Sequence, residues 1–309
     1  MRSDSSLRGT DVIPSCHVCG GSRLRRRFSI PLLDGPYEHD KKAKPRTIYR
    51  CDFCGHLSAV VYDPGRYADY YASLSDHYHR DHDREQSRYN RILELFPKQS
   101  LRRVLDVGCG SGTFLAMLPP ELERFGIEPS KSAADLARAK GIQIVQYDDL
   151  ARPELRNTFD LVTAIDVVEH TANLSEFRRH IAIALRPGGT VIILTGDAES
   201  RSARLLGRYW YYLHYAEHIT AFCPRSMRTW LQSDFSEIEL TKAAHDRLSR
   251  AESLTLFRVW LLFPVKWLLR KLLPTRLKMH AALYLRGDHM LVRATRNQPL
   301  PQETAINVR

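Results

Sequence analysis

The order of apolar and polar positions divides the chain into three unlike stretches. From Leu101 onward, short apolar runs end at glycine, proline or charged residues and alternate with amphipathic segments. That is the pattern of strands and helices in a parallel α/β sheet. Arg103 to Val107 reads as a strand that runs into Gly108-Cys109-Gly110-Ser111-Gly112, followed by a short helix, and RFGIEPS closes a second apolar strand. Ahead of this, SDHYHRDHDREQSRYNRILELF is charged and takes helical apolar spacing only toward its end, so residues 66–100 are expected as a helical linker. His77, His79 and His82 then sit on a solvated helix rather than around a metal. Residues 1–65 have no long apolar period, and four cysteines dominate them instead.

A further stretch, SLTLFRVWLLFPVKWLLRKLLPTRLKMH, interrupts the sheet pattern. A membrane span needs about 20 uninterrupted apolar residues, and Arg258, Pro264, Lys266, Arg270 and Lys271 break this one. An insertion over 243–280 is expected, with two short basic amphipathic helices hinged at Pro264. Its readings are a lid, a dimer face, or peripheral contact with an anionic membrane through 253–273. Residues 297–309 read as a flexible tail.

Composition changes the picture little. The 309 residues are 43% hydrophobic and 26% charged, an ordinary globular balance that excludes a disordered or collagen-like chain. MRSDSSLRGTDVIPSC has no apolar run of signal-peptide length, so the cytoplasm and reduced thiols are expected. The net charge of +11 invites nucleic acid or acidic lipid. From Thr241 to Arg309, however, thirteen Lys/Arg stand against four Asp/Glu. The excess therefore lies beside large apolar residues, with no aromatic-basic RNA module in view, which disfavours a nucleic-acid partner.

Cys16-His-Val-Cys19-Gly20 and Cys51-Asp-Phe-Cys54-Gly55 are matching units. A CxxC turn aims two thiolates at one ion, and two such turns complete a tetrahedral four-cysteine zinc ribbon. With four thiolates no coordination position stays open, so this Zn2+ would be structural. Arg23, Arg25, Arg26, Arg27, Lys41, Lys42, Lys44 and Arg46 lie between the turns and read as a solvated ribbon surface, with substrate phosphates as the other reading.

The glycine turn exposes N–H groups to a ligand at the start of a helix. Glu128, 20 residues after Gly108, is placed to take both hydroxyls of a ribose. The turn reads GxGxG, with Thr113 where a dinucleotide fold wants its third glycine, and Asp106 precedes it. A pyrophosphate would be repelled by that carboxylate, whereas the sulfonium and ammonium of S-adenosylmethionine would be welcomed.

VLDVGCGSG, GIEPS, FDLVTAIDVVEH and LRPGGTVIIL, in this order, resemble the motifs of class I S-adenosylmethionine-dependent methyltransferases over roughly Leu101 to Arg296. The resemblance implies a doubly wound, seven-stranded Rossmann-like methyltransferase sheet over 101–296 whose last strand is antiparallel. It implies that Asp106, Gly108, Gly110 and Gly112 line the methionine end of S-adenosyl-L-methionine and that Glu128 holds the ribose. Pro129 and Ser130 would border the adenine. After the third strand, IQIVQ, Asp148 is preferred to Asp149 as acceptor from the adenine amino group, and Asp166, closing the fourth strand, would face the cofactor. The sixth strand is expected at Ile238 to Leu240 and the closing one near Asp288 to Arg293.

Two places qualify for the acceptor. Glu169-His170 directly follows the fourth strand, where His170 would act as base or cap the next segment. RYWYYLHYAEHITAFCPRSM resembles, at Trp210, His218, Phe222 and Pro224, a stretch of a broad bacterial branch of these enzymes. His218 is the first choice there and His214 a distant second; a packed cover over the sheet is the other reading. Asp166-Val-Val-Glu169 lacks the motif of enzymes that methylate the amino groups of bases. A zinc ribbon ahead of such a domain resembles sugar C-methyltransferases and polysaccharide or natural-product tailoring enzymes, but those C-methyltransferases carry a further C-terminal domain. The expectation is therefore O- or C-methylation of a small molecule or saccharide, on the cytoplasmic side or at the inner membrane face. An RNA methyltransferase and a non-catalytic S-adenosylmethionine-binding protein are the alternatives.

Overall fold

The computed structural model describes residues 13–30, 45–59, 82–97, 101–215, 217–243 and 288–298. His77, His79 and the 253–273 stretch lie outside the described residues. No helix among the described residues is long and apolar enough to cross a membrane.

The cysteine-rich part is a meander of β1 (Leu24–Ile30), β2 (Arg46–Cys51) and β3 (Leu57–Ala59), each antiparallel to the next. Helix α1 (His82–Leu93) leads into the alternating region. There β4 (Arg103–Val107), β5 (Glu123–Ile127), β6 (Gln143–Ile144), β7 (Phe159–Ile165) and β8 (Leu185–Gly196) alternate with α2 (Thr113–Ala116), α3 (Lys131–Ala139) and α4 (Leu174–Ala184). After β8 come α5 (Arg201–Leu206), β9 (Thr220–Ala221), α6 (Pro224–Leu231), β10 (Phe235–Ala243) and β11 (His289–Arg296).

Seven of these strands form one sheet in the order β10-β11-β8-β7-β4-β5-β6. Pairs from β6 through β8 are parallel, while β11 runs antiparallel to both its neighbours. The central strands are apolar along their length because helices cover both faces; β7 is buried at every position but its last. Phe177 of α4 and Trp230 of α6 pack on Val162, Ile193 and Val292 from one side. Phe114, Leu115 and Ala137 pack on Val104, Leu161 and Ile192 from the other. Side-chain caps start the helices where expected: Ser130 accepts from the Ala133 N–H, and Asn173 from that of Glu176.

Two strand boundaries differ from the sequence expectation. The third strand pairs only at Gln143–Ile144, because it is the edge of the sheet and soon enters a tight turn at Tyr147–Ala151. The sixth runs from Phe235 to Ala243, far beyond Ile238–Leu240, because pairing with β11 holds its polar positions in the ladder.

The ribbon does not stand apart from this sheet. Its own sheet continues from β3 onto β9, giving the order β1-β2-β3-β9, and Ile30, Ile48 and Leu57 pack with Trp210, Tyr212, Leu213 and Ala221.

Candidate functional site

The two cysteine turns are built alike. The Gly20 and Gly55 N–H groups each donate to the carbonyl of the turn's first cysteine at 2.9 Å, with φ of +70° and +80° that glycine adopts without strain. The sulfurs of Cys16, Cys19, Cys51 and Cys54 all lie within 4.8 Å of one another. Cys16 and Cys54 approach to 3.5 Å and Cys19 and Cys51 to 3.6 Å. A tetrahedron with metal–sulfur bonds of about 2.3 Å has edges of about 3.8 Å, so the donor set fits. The hydrogen bond with Cys54 draws the Cys16 thiol down to about 5, while the same contact raises Cys54. Cys223 is no part of the set; its thiol donates to the Cys54 carbonyl at 3.4 Å.

The second site lies outside the carboxyl ends of β4, β5 and β7, where open α/β sheets bind ligands. The Gly108 and Cys109 N–H groups both donate to the Ile127 carbonyl, which turns the chain across the end of β5. Gly108 has φ +73°, and a Cβ on it would lie 2.5 Å from Val167 Cγ2. Gly110 also has positive φ. Gly112 does another job: with φ +75°, its Cβ would meet Ile142 Cδ1 at 2.2 Å and Ala137 Cβ at 3.1 Å, so it lets α3 close on the loop. Cys109 covers Gly126 of β5 and is inert through burial, which raises its thiol.

Two buried carboxylates face this loop. Asp106, 3% exposed, accepts from Thr163 Oγ1 at 2.6 Å. Glu128, 6% exposed, accepts from the Gly110 N–H at 2.9 Å and the Ser130 N–H at 2.8 Å, clamping the glycine turn to α3. Neither forms a salt bridge among the described residues. Burial pushes Asp106 up to about 7, with the charge of Glu128 adding to it, and burial raises Glu128 as well. A pair of desolvated carboxylates without a cation fits a ligand that carries one. S-adenosylmethionine affinity is therefore expected to fall as pH drops from 7 to 5, by up to about tenfold per unit, because the cation selects ionised Asp106. Calorimetric titration at several pH values checks this, and Asp106→Asn should bind weakly with a flat profile. A wild-type affinity that does not change with pH would contradict it.

The remaining predicted cofactor residues are placed as follows. Pro129 is exposed between Glu128 and Ser130. Asp148 is exposed, whereas Asp149 is spent on local bonds, accepting from the Gln146 N–H at 2.9 Å and pairing with Arg152 at 2.8 Å. Asp166 follows β7 in the left-handed region, φ +52°, an arrangement that stores strain at functional positions. Its carboxylate pairs with Arg88 of α1 at 2.5 Å. Sequence reasoning missed Arg88, since its helix reads as a solvated linker.

Beyond Asp166, a turn at Val168–His170 and the segment before β9 bring both expected histidines together. The His170 and His218 rings lie 4.7 Å apart, edge to face. His170 Nδ1 meets the Glu217 carbonyl at 3.1 Å and His218 Nδ1 that of Tyr212 at 2.8 Å. Burial pushes both imidazoles below their ordinary value, His218 strongly, so both are neutral near pH 7. Glu169 is fully buried; its Oε2 accepts from Thr195, and its Oε1 meets no donor among the described residues. Burial first, and Asp166 second, push it up to about 7. Glu169, His170 and His218 each bring a ligand-type atom within 4.8 Å of the others.

The aromatic segment is mainly a packed cover. Trp210 and Tyr212 stack at 4.8 Å and point into the ribbon contact, and His214, 1% exposed, meets the Arg208 carbonyl. Tyr212 lies on Gly196, where a Cβ would sit 2.4 Å from its ring, and its ring centre is 4.2 Å from that of His218. The residue that holds this segment in place is Arg46 of β2. At 1% exposure it donates to the carbonyls of His218 and Tyr215, each at 2.9 Å, and to that of Leu213. The sequence reads Arg46 as surface charge, and nothing local marks it otherwise.

The strand order, the antiparallel β11 and the glycine crevice define a Rossmann-like methyltransferase fold. Residues 78–234, half of the chain, match the family described as "Methyltransferase domain", and the chain belongs to it. A ubiquinone biosynthesis O-methyltransferase of Bradyrhizobium sp. (strain ORS 278) is 31% identical over 134 residues, 41% of this chain and 51% of that protein. One of the same name from Alkalilimnicola ehrlichii is 28% identical over 159 residues, 49% of this chain and 62% of that protein. The chain spans about half the length of the curated relatives it matches. Among solved structures, Haemonchus contortus phosphoethanolamine N-methyltransferase 2 in complex with S-adenosyl-L-methionine aligns with a TM-score of 0.46 and 18% identity, over 69% of this chain and 53% of that one.

Proposed function

We propose that this chain is an S-adenosylmethionine-dependent methyltransferase acting on a hydroxyl of a small molecule, a saccharide among the candidates. The observation that carries the reading is the juxtaposition of the cation-seeking pair Asp106 and Glu128 with a pair of neutral, half-buried imidazoles at the same end of the sheet. The names of the relatives support an O-acceptor over carbon, nitrogen or RNA. When bound, S-adenosylmethionine supplies an already activated methyl group, so the protein has mainly to align the acceptor and remove its proton. Asp106 receives the cationic end, and the N–H groups of the Gly108–Gly110 turn approach the ligand closely. Glu128 accepts from the ribose, Asp148 from the adenine amino group, Pro129 borders the ring, and Asp166 faces the crevice. His218, with its Nδ1–H on the Tyr212 carbonyl, presents an unprotonated Nε2 for the acceptor proton, and His170 packs against it. Cys16, Cys19, Cys51 and Cys54 hold a structural zinc. The protein works in the cytoplasm, with 253–273 as a lid, a dimer face or a peripheral contact to the inner membrane face.

A second reading is favoured by the donor-free Oε1 of Glu169: Glu169, His170 and His218 would share a divalent cation that binds the acceptor oxygen. One experiment tests both. Label from methyl-labelled S-adenosylmethionine is followed into the small-molecule, lipid and RNA fractions of a source-cell extract, with and without added Mn2+, a cation that accepts imidazole and carboxylate together. Small-molecule or lipid labelling lost in His218→Ala and indifferent to Mn2+ supports the base; dependence on Mn2+ assigns the three groups to a cation. Label in RNA overturns the proposal.

A further inference from the structure

A cavity of about 200 Å3 opens at the seam between the ribbon and the methyltransferase sheet. Arg27, Arg50 and Arg204 line it, with Glu199 as the sole acidic residue of the lining and Phe28 and Trp210 as its aromatic walls. Glu199 is already shared: Arg50 reaches it at 2.7 Å and Arg204 at 3.6 Å. Arg27 forms no ion pair among the described residues. One carboxylate therefore faces three guanidinium groups. Trp210 adds an independent sign of an absent acceptor, since its indole N–H is buried and meets no partner among the described residues. Planar N–H forks match phosphate oxygens in bidentate geometry, and an indole N–H can only donate.

We propose that this cavity binds a phosphate or diphosphate group of the methyl acceptor, a role that rests on the methyl-transfer reading for the acceptor but not for the binding itself. Trp210 stacks on Tyr212, whose ring lies 4.2 Å from His218, so the cavity wall is two rings from the histidine pair. An acceptor anchored by its anionic group would extend along that wall, and the Phe28 and Trp210 faces would cover its apolar part.

The probe is inorganic pyrophosphate, titrated into the full chain by calorimetry at constant ionic strength, without S-adenosylmethionine. One saturable site per chain is expected. Its affinity should fall at least tenfold in the Arg27→Gln/Arg204→Gln double variant and stay the same in Arg102→Gln, whose guanidinium lies outside the cavity. S-adenosylmethionine affinity should be equal in all three proteins, which shows that the variants are folded. Absence of saturable binding, or undiminished binding in the double variant, overturns the cavity assignment. Either result leaves the methyl-transfer reading standing, since that reading is judged by the extract labelling alone.

Discussion

Cys51→Ser is expected to abolish the zinc binding proposed for the four cysteines and, with it, the placement of His218. Apparent metal-binding energies of four-ligand zinc sites are about 10–16 kcal/mol, so losing one of four thiolates removes on the order of 3 kcal/mol. For a chain of this size that is about 5 °C in melting temperature. The effect should not stop at the ribbon. Cys51 closes β2, its N–H donates to the His56 carbonyl, and His56 Nε2 meets Thr220 of β9. The Ala59 N–H donates to the Ile219 carbonyl, next to His218. Elemental analysis should find about one zinc per wild-type chain and markedly less in the variant, and thermal unfolding should move earlier. Wild-type protein purified without chelators and free of zinc would refute the metal assignment.

Arg46→Met should be nearly as damaging without touching a metal ligand or the cofactor crevice. Methionine keeps much of the buried stem but leaves the carbonyls of Leu213 and His218 without this donor, while the Tyr215 carbonyl keeps the His218 N–H at 3.1 Å. A buried acceptor left unpaired costs about 1–3 kcal/mol. Relief of the desolvated guanidinium offsets part of two such terms, for a net loss of about 2 kcal/mol. The charge also acts on chemistry: burial chiefly, and Arg46 among further causes, holds the His218 imidazole in its neutral form. Denaturant unfolding should show the stability loss, and methyl transfer should drop at least tenfold while S-adenosylmethionine still binds. Unchanged stability would mean that the guanidinium contacts contribute little.

The expectations that held in the fold depend on neighbours in sequence. The first strand ends at Val107 because the glycine turn that follows demands positive φ. The cysteine turns fold alike because each needs only five consecutive residues, the last of them a glycine. The third and sixth strands differ in length from what their local pattern predicts, since strand ends depend on which partner lies alongside. Glu128 was legible as a carboxylate at the right distance from Gly108, but its grip on the Gly110 and Ser130 N–H groups required the folded turn.

The sequence by itself determined the class of sheet, the glycine crevice with its two carboxylates, the four-cysteine donor set and the two histidines worth testing. The crevice and the cysteine set are local patterns whose chemistry follows from residue type and spacing, whereas the seven-stranded sheet and His218 follow from the resemblance to the methyltransferase family. Only the tertiary structure decided that His170 and His218 meet, that Glu169 joins them, and that Trp210 and Tyr212 serve the ribbon contact. It alone made Arg46 and Arg88 parts of the site. These depend on contacts between residues far apart in the chain: Arg46 lies 172 positions from His218, and Arg88 lies 78 from Asp166. An arginine bound to backbone carbonyls leaves no mark in the sequence, because any residue can supply the acceptor.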